Sequence, residues 1–361
     1  MDRVAGTAAV EVAVDGRAVR ITSPDRVVFP GAGPNGITKL DVVEYLLAVG
    51  PGILAALRDR PTTLERWPKG VFEGARLSTR ADSSGDGFFQ KRVPKGAPEY
   101  VTTARISFPS GRSADEVCPR ELAVVIWAAN LGTLTFHPWP VVSADVESPD
   151  QLRIDLDPQP GTDYGDAARV AAEVRALLHE LGMEGYPKTS GGRGIHVFVP
   201  IEPRWGFVAA RRATIALGRE LERRMPDLVT TRWWKQERGE KVFVDYNQMA
   251  RDRTMASAYS IRPTSGAPVS APLRWEEVAE VVPEDFTVPT MPARFRAEGD
   301  LYAAVADQAT PRFSLERLLE MAARDERDHG QGDLPYPPEY PKMPGEPKRV
   351  QPSRDTNPDR G

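Results

Sequence analysis

Apolar residues recur at every second position in 151–157, 194–200 and 241–246, the period of a strand with one buried face. Between these stretches the period lengthens. In 166–181, Val170, Val174, Leu177, Leu178 and Leu181 share one face of a helix that stops at Gly182, and 207–225 has the same helical spacing. Strands alternating with helices of this length predict an α/β core. Upstream, 11–14 and 17–21 alternate around Asp15-Gly16, a hairpin signal. Thr38, with Asp41 three residues on, opens a helix through Val42, Tyr45 and Leu46; Pro51-Gly52 interrupts it before a second short helix that runs to about residue 59. The pattern further predicts a helix over 114–130, a strand over 134–139 and Pro/Gly-rich connecting chain over 61–100. Beyond 292 a single helix, 314–328, precedes a proline-dense tail. No internal repeat is found. The expected organisation is a catalytic domain over 1–293, a helical extension over 294–334 and a tail over 335–361, disordered or wrapped onto the body.

Composition narrows the class. The chain has 361 residues, 40% hydrophobic and 27% charged, as expected of a globular protein that buries its own core. Its one cysteine, Cys118, allows no internal disulfide and fits a reducing compartment. No apolar leader and no long uncharged apolar run is found, so no membrane partner and a cytoplasmic, nucleoid-associated location are expected. The net charge of −4 does not announce a nucleic-acid binder, but charge is segregated. Between 204 and 262 basic residues outnumber acidic ones, and solvated helix faces and a basic groove both explain such a run.

Candidate chemistry sits on the strands. In 152–157 the apolar Leu152, Ile154 and Leu156 take one face, leaving Arg153, Asp155 and Asp157 on the other. Two adjacent carboxylates repel, and a divalent cation with oxygen ligands, Mn2+ or Mg2+, relieves that conflict. A strand end with two solvated aspartates explains the same pattern. Asp245, opposite Val242 and Val244 in a further apolar strand, supplies a third carboxylate. Three such aspartates are the parts of a two-metal phosphoryl-transfer site. Between them, Lys188-Thr189-Ser190-Gly191-Gly192-Arg193-Gly194-Ile195-His196 offers glycine backbone, Ser190 and Arg193 to an anion, with His196 on the polar side of the next strand. It is not a Walker loop, because no G-K-[ST] is present.

These segments resemble the polymerase domain of bacterial DNA ligase D, in the archaeo-eukaryotic primase superfamily. The resemblance runs from about residue 20 to 290. It is carried by 155–158, 189–196 and 241–246, extended by Arg251, Tyr259–Arg262 (259–262), 66–70, 88–91, 127–132 and 137–139. No ligase or nuclease pattern follows, so a stand-alone member working beside an ATP-dependent DNA ligase is expected. The resemblance implies an α/β, primase-type core with an RRM-like mixed or antiparallel sheet flanked by helices. It implies a template-dependent nucleotidyltransferase that fills short gaps in DNA repair, prefers ribonucleotides to deoxyribonucleotides and uses nucleoside triphosphates with Mn2+ or Mg2+. In that scheme Asp155, Asp157 and Asp245 hold the metals. Ser190, Arg193 and His196 contact the triphosphate, and Lys235, Lys241, Arg251 and Arg262 surround the nucleotide. Arg66, Phe88 and Phe89 meet DNA, with both phenylalanines stacking on bases, while Arg26 and Lys39 form a pocket for a 5′-phosphate at a gap or end.

This chain departs from the family at three places. It has Gly192-Arg193 where ligase D proteins commonly have Ser-Lys, Arg26 where some relatives carry Lys, and a longer 71–87 segment ahead of the Phe-Phe pair. Two other classes remain open on the residues. A DxD glycosyltransferase would use Asp155 and Asp157 with no role for Asp245, and a non-catalytic DNA-end-binding module would bind without incorporating.

Overall fold

The computed structural model describes residues 9–79, 82–108 and 111–336. The first hairpin pairs β1 (Val10–Val14) with β2 (Arg17–Ile21). Asp15 and Gly16, at φ of 51° and 72°, give its two-residue turn the left-handed backbone it requires. Strands β3 (Val27–Phe29) and β4 (Ile37–Thr38) lead into α1 (Lys39–Ala48), where Thr38 and Asp41 form the expected reciprocal cap. Helix α2 (Gly50–Leu57) follows after the break at Val49.

The segment read as connecting chain holds strands instead. β5 (Thr62–Arg66) and β6 (Phe88–Gln90) pair antiparallel there, and beyond it β7 (Thr103–Ser107) pairs with β8 (Ser113–Val117). The helix expected over 114–130 is therefore half right. Its first turns are strand β8, with Ala114, Glu116 and Val117 buried, and α3 is only Leu122–Asn130. Pro119, with no N–H to give a helix, separates the two. β9 (Thr133–Pro138) completes this sheet on β5, giving the order β6-β5-β8-β7 with β9 beside β5.

The second sheet runs through β10 (Gln151–Pro158), α4 (Tyr164–Glu180), β11 (Tyr186–Thr189), β12 (Ile195–Pro200), α5 (Phe207–Arg224), β13 (Val229–Thr230) and β14 (Val242–Val244). Its order is β11-β12-β10-β14-β13, antiparallel except for the parallel β13–β14 pair, and so a mixed sheet with helices on its apolar face. Leu152, Ile154, Leu156, Val197, Val199 and Val244 on that face are fully buried against α4 and α5. Helices α6 (Met291–Glu298), α7 (Ala303–Ala306) and α8 (Glu316–His329) follow. α6 packs on α1, α7 on α2 and β12, and α8 along α5. Most of the tail read over 335–361 lies outside the described residues. Among the described residues no single helix is long and apolar enough to cross a membrane.

Candidate active site

The polar face of β10 carries the candidate residues. Asp155 pairs across the strands with His196 on β12, and His196 with Lys188 on β11, so the three form one row. His196 Nε2 lies 3.4 Å from Asp155 Oδ1, and Lys188 Nζ lies 2.8 Å from His196 Nδ1. Asp245 does not lie within a strand as expected. β14 ends at Val244, and Asp245 turns the chain into a short 3-10 helix, Tyr246–Met249, accepting from Asn247 N at 3.0 Å. That turn brings it to β10, where its own N–H donates to Asp155 O at 3.0 Å. Gln248, from the same 3-10 helix, then donates one amide nitrogen to both carboxylates, at 3.0 Å to Asp155 and 3.3 Å to Asp245.

Burial, followed by the neighbouring Asp245 and Asp157, pushes the Asp155 carboxyl up to about 8. Asp245 is also raised, chiefly by burial, with Arg253 and Arg238 acting against the rise. Asp157 faces solvent, its Oδ2 held by Gln159 Nε2 at 3.0 Å, and Arg238 donates to the same Gln159. Among the described residues no three acidic, histidine or cysteine side chains converge closely enough to hold a metal ion. The donor chemistry nonetheless fits a hard divalent cation. It offers carboxylate oxygens, two of them buried carboxyls joined by one amide where a cation would serve both. Asp155 and Asp245 would hold such an ion, with Asp157 alongside.

The glycine-rich turn abuts this cluster. A Cβ on Gly194 would sit 2.8 Å from Leu156 O, and one on Gly191 (φ +79°) 2.2 Å from Arg262 Cγ. The turn can therefore lie against β10 and under Arg262 only as glycine. Ser190 Oγ accepts from the N–H groups of Gly192 and Gly194 at 3.2 and 3.1 Å and so shapes the turn. Arg193 is exposed and donates to Thr162 O at 3.2 Å. Arg262 is drawn toward both Asp155 and Glu65. Burial would raise the Glu65 carboxyl, but His137 Nε2, 2.8 Å away, holds it below its ordinary value. Phe89, 46% exposed, stands edge-on to His137 at 5.3 Å, on the sheet formed by β5, β6 and β9.

Other expected residues lie elsewhere. Arg153 is not on an open face. It is fully buried, donating to Pro138 O and Trp139 O at 2.6 and 2.9 Å beneath the end of β9. Arg251 grips Glu147 and Ser107 O beside a cavity of about 900 Å3 between α5 and α8. Lys241 Nζ turns to Pro226 O, and Lys235 is exposed in a 3-10 turn. Phe88 packs under Arg66, whose guanidinium lies 5.2 Å from its ring and also binds Leu131 O. Lys39 Nζ is surrounded by Thr22 and Asn130 oxygens, and burial, then the nearby Arg26, lowers it to about 8. Arg26 Nε is buried with no hydrogen-bond partner. Gln248, Arg238, Arg253 and Lys188 were absent from the sequence-based set. Of these only Lys188, a lysine in a strand two residues before Ser190, carried a signal.

Paired aspartates on a mixed sheet, beside a glycine-rich turn, are the arrangement that the resemblance to a primase-type polymerase domain led us to expect. Residues 38–302 match the family described as LigD, primase-polymerase domain, and the chain belongs to that family. It is 32% identical over 330 residues to the multifunctional non-homologous end joining protein LigD of Mycolicibacterium smegmatis, covering 90% of this chain and 40% of that protein. With the bifunctional non-homologous end joining protein LigD of Bacillus subtilis it shares 31% over 283 residues, or 78% of this chain and 43% of that protein. The chain thus spans about two fifths of these relatives' length. Among solved structures it matches the polymerase domain of Mycobacterium tuberculosis ligase D in complex with DNA, with TM-score 0.71 and 28% identity, covering 81% of this chain and 99% of that one.

Proposed function

We propose that this chain is a template-directed primase-polymerase that fills short gaps in DNA during repair. The observation that carries it is the sharing of Gln248 by Asp155 and Asp245. A DxD glycosyltransferase has no use for the second of those residues, and an idle DNA-end binder has no use for either. A divalent cation, Mn2+ or Mg2+, held by Asp155, Asp157 and Asp245 would activate the attacking 3′-hydroxyl and neutralise the pyrophosphate that leaves. The chain's own residues do the rest. His196 and Arg193 donate to the triphosphate, Ser190 shapes the turn around it, and Arg262, packed against Gly191, holds the nucleotide. Phe89 offers its exposed ring to a template base, with Phe88 and Arg66 packed behind it.

Arg26 is the group that meets a 5′-phosphate at the far side of the gap, and Lys39 braces it from within. Lys39 is charged below pH 8 and neutral above it. The preference for a phosphorylated gap should therefore be larger at pH 7 than at pH 9. Ribonucleotides are preferred, and an ATP-dependent DNA ligase seals the product in the cytoplasm, at the nucleoid.

Primer extension on gapped duplexes with Mn2+ tests this. Incorporation should follow the template base, favour a ribonucleotide over its deoxy counterpart and rise with a downstream 5′-phosphate. No incorporation of any nucleotide on any primed template would defeat the polymerase assignment. Indifference to the sugar or to the 5′ group would remove those two features alone.

A further inference from the structure

Residues 257–260 form a tight turn, closed by Ser260 N–H donating to Ser257 O at 3.2 Å. Its third residue is Tyr259, buried and at φ 64°. A left-handed backbone at the third place of a turn ordinarily belongs to Gly or Asn, because a larger side chain crowds it. Here a bulky aromatic occupies it, and three side chains hold it there. Tyr45 Oη, from α1, donates to Tyr259 O at 2.7 Å. Tyr259 Oη donates to Asp300 Oδ1 at 2.6 Å, in the link between α6 and α7, and the same oxygen accepts from Tyr302 N at 2.9 Å. The ring of Tyr259 stands edge-on to Phe295 of α6 at 5.3 Å. A backbone outlier of this kind persists only where its surroundings over-determine it, and such positions cluster around functional groups.

The turn leads into a bridge between the two sheets. On one side Ser260 Oγ accepts from Phe136 N at 3.0 Å and Ile261 N donates to Leu134 O at 3.2 Å, both on β9. On the other, Tyr259 N donates to Ser270 O at 2.8 Å and Arg262 N to Pro268 O at 2.7 Å. The 268–271 segment lies in turn on β11, where Thr189 N donates to Ala271 O at 2.9 Å. Arg262 ends this bridge. Its Cγ lies 2.2 Å from where a Cβ on Gly191 would stand, so arginine and glycine-rich turn are in close contact. A change of φ at Tyr259 would redirect the chain just ahead of Arg262 and break that contact.

We propose that Tyr259 is a positioning residue for nucleotide binding: its left-handed backbone, locked by Tyr45 and Asp300, fixes Arg262 over the glycine-rich turn. The part played by Arg262 rests on the nucleotidyl transfer proposed above; the locked turn does not. Tyr45, Tyr259 and Asp300 touch no substrate in this scheme. They act on the site only through the bridge.

The test is a double-mutant cycle read in KM and kcat for nucleotide incorporation on a primed gapped duplex with Mn2+. Tyr45→Phe and Tyr259→Phe keep their rings and lose one hydroxyl each. Each should raise KM for the nucleotide about tenfold, with a much smaller change in kcat. In an Arg262→Ala background the same changes should raise KM no further, because the group they position is gone. Asp300→Ala should match Tyr259→Phe, whereas Asp300→Asn, which keeps Oδ1 as an acceptor, should stay near wild type. Wild-type KM in the folded phenylalanine variants overturns the proposal, as does an equal rise in KM with and without Arg262. If a phenylalanine variant fails to fold, the Asp300 pair decides the matter by the same comparison. A wild-type protein that binds triphosphate but never incorporates it contradicts the polymerase assignment, and Kd for the triphosphate then carries the same cycle. A wild-type protein that binds no triphosphate contradicts both.

Discussion

The α5–α8 seam and the aspartate cluster are both rich in charge, and they treat it in opposite ways. Along the seam, arginines meet acids. Arg212 pairs with Glu326 and Arg223 with Asp325 and Glu220, while at the end of α5 Arg224 turns to Glu173 and Glu180 on α4 and to Glu220. Arg211, buried, binds Asn247, Asp333 and the carbonyls of Leu334 and Pro335. Much of the basic run between 204 and 262 is thus spent on the fold. At the cluster, like charges crowd together with one shared amide between them. The seam is arranged for stability, and the cluster keeps an electrostatic conflict that a bound cation would resolve.

The largest way to sharpen that contrast is Asp155→Asn. Incorporation should fall by about a thousandfold or more, the scale on which one charge-stabilising group acts in a transition state. Stability should move the other way. The folded carboxyl titrates near 8 while the unfolded one titrates near its ordinary value of about 3.9. Between those values the native state holds a proton that the unfolded state has released, so wild-type stability falls as pH rises through this window. Asparagine does not titrate. In thermal melts without metal, the variant's advantage over wild type should therefore be absent near pH 4 and grow to pH 8.

The seam should respond in the opposite sense. Arg211→Ala leaves Asp333 and several carbonyls without their donor and should destabilise by about 3–5 kcal/mol in denaturant titration, with incorporation per folded molecule little changed. Arg224→Ala, in a partly exposed network, should cost no more than about 1 kcal/mol. A large cost at Arg224 with none at Arg211 would reverse this account of the seam. The smallest expected effect is at Glu116. Burial raises its carboxyl to about 7, despite donors on Thr63 and Trp139. The native state therefore disfavours the ionised form, and Glu116→Gln should gain on wild type as pH rises from about 5 to 8.

Much of this was legible in the chain. Strict alternation around Asp155 and Asp157 fixed their shared face, and Thr38, Asp41 and Gly182 marked helix ends through local hydrogen bonding alone. What escaped depends on contacts distant in sequence. Arg153 reads as a solvent-side neighbour of the aspartates until the end of β9 covers it with two carbonyls. β5 and β8 were hidden because their Thr and Glu residues are held by each other, as Thr63 is by Glu116, and not by an apolar period. Asp245 was legible as a third carboxylate. Its role as the cap that carries Gln248 to Asp155 was not, because a three-residue strand and a 3-10 turn leave no period to read. Arg251 and Arg253 lie two residues apart, and only the fold decides that Arg251 serves Glu147 while Arg253 acts on Asp245.

The central claim is that Asp245 belongs to the same catalytic group as Asp155. Single-nucleotide incorporation on a primed gapped duplex with Mn2+ tests it most directly, comparing wild type with Asp245→Ala at matched DNA occupancy. The account predicts loss of about a thousandfold or more with DNA affinity unchanged. Incorporation within about tenfold of wild type would contradict it.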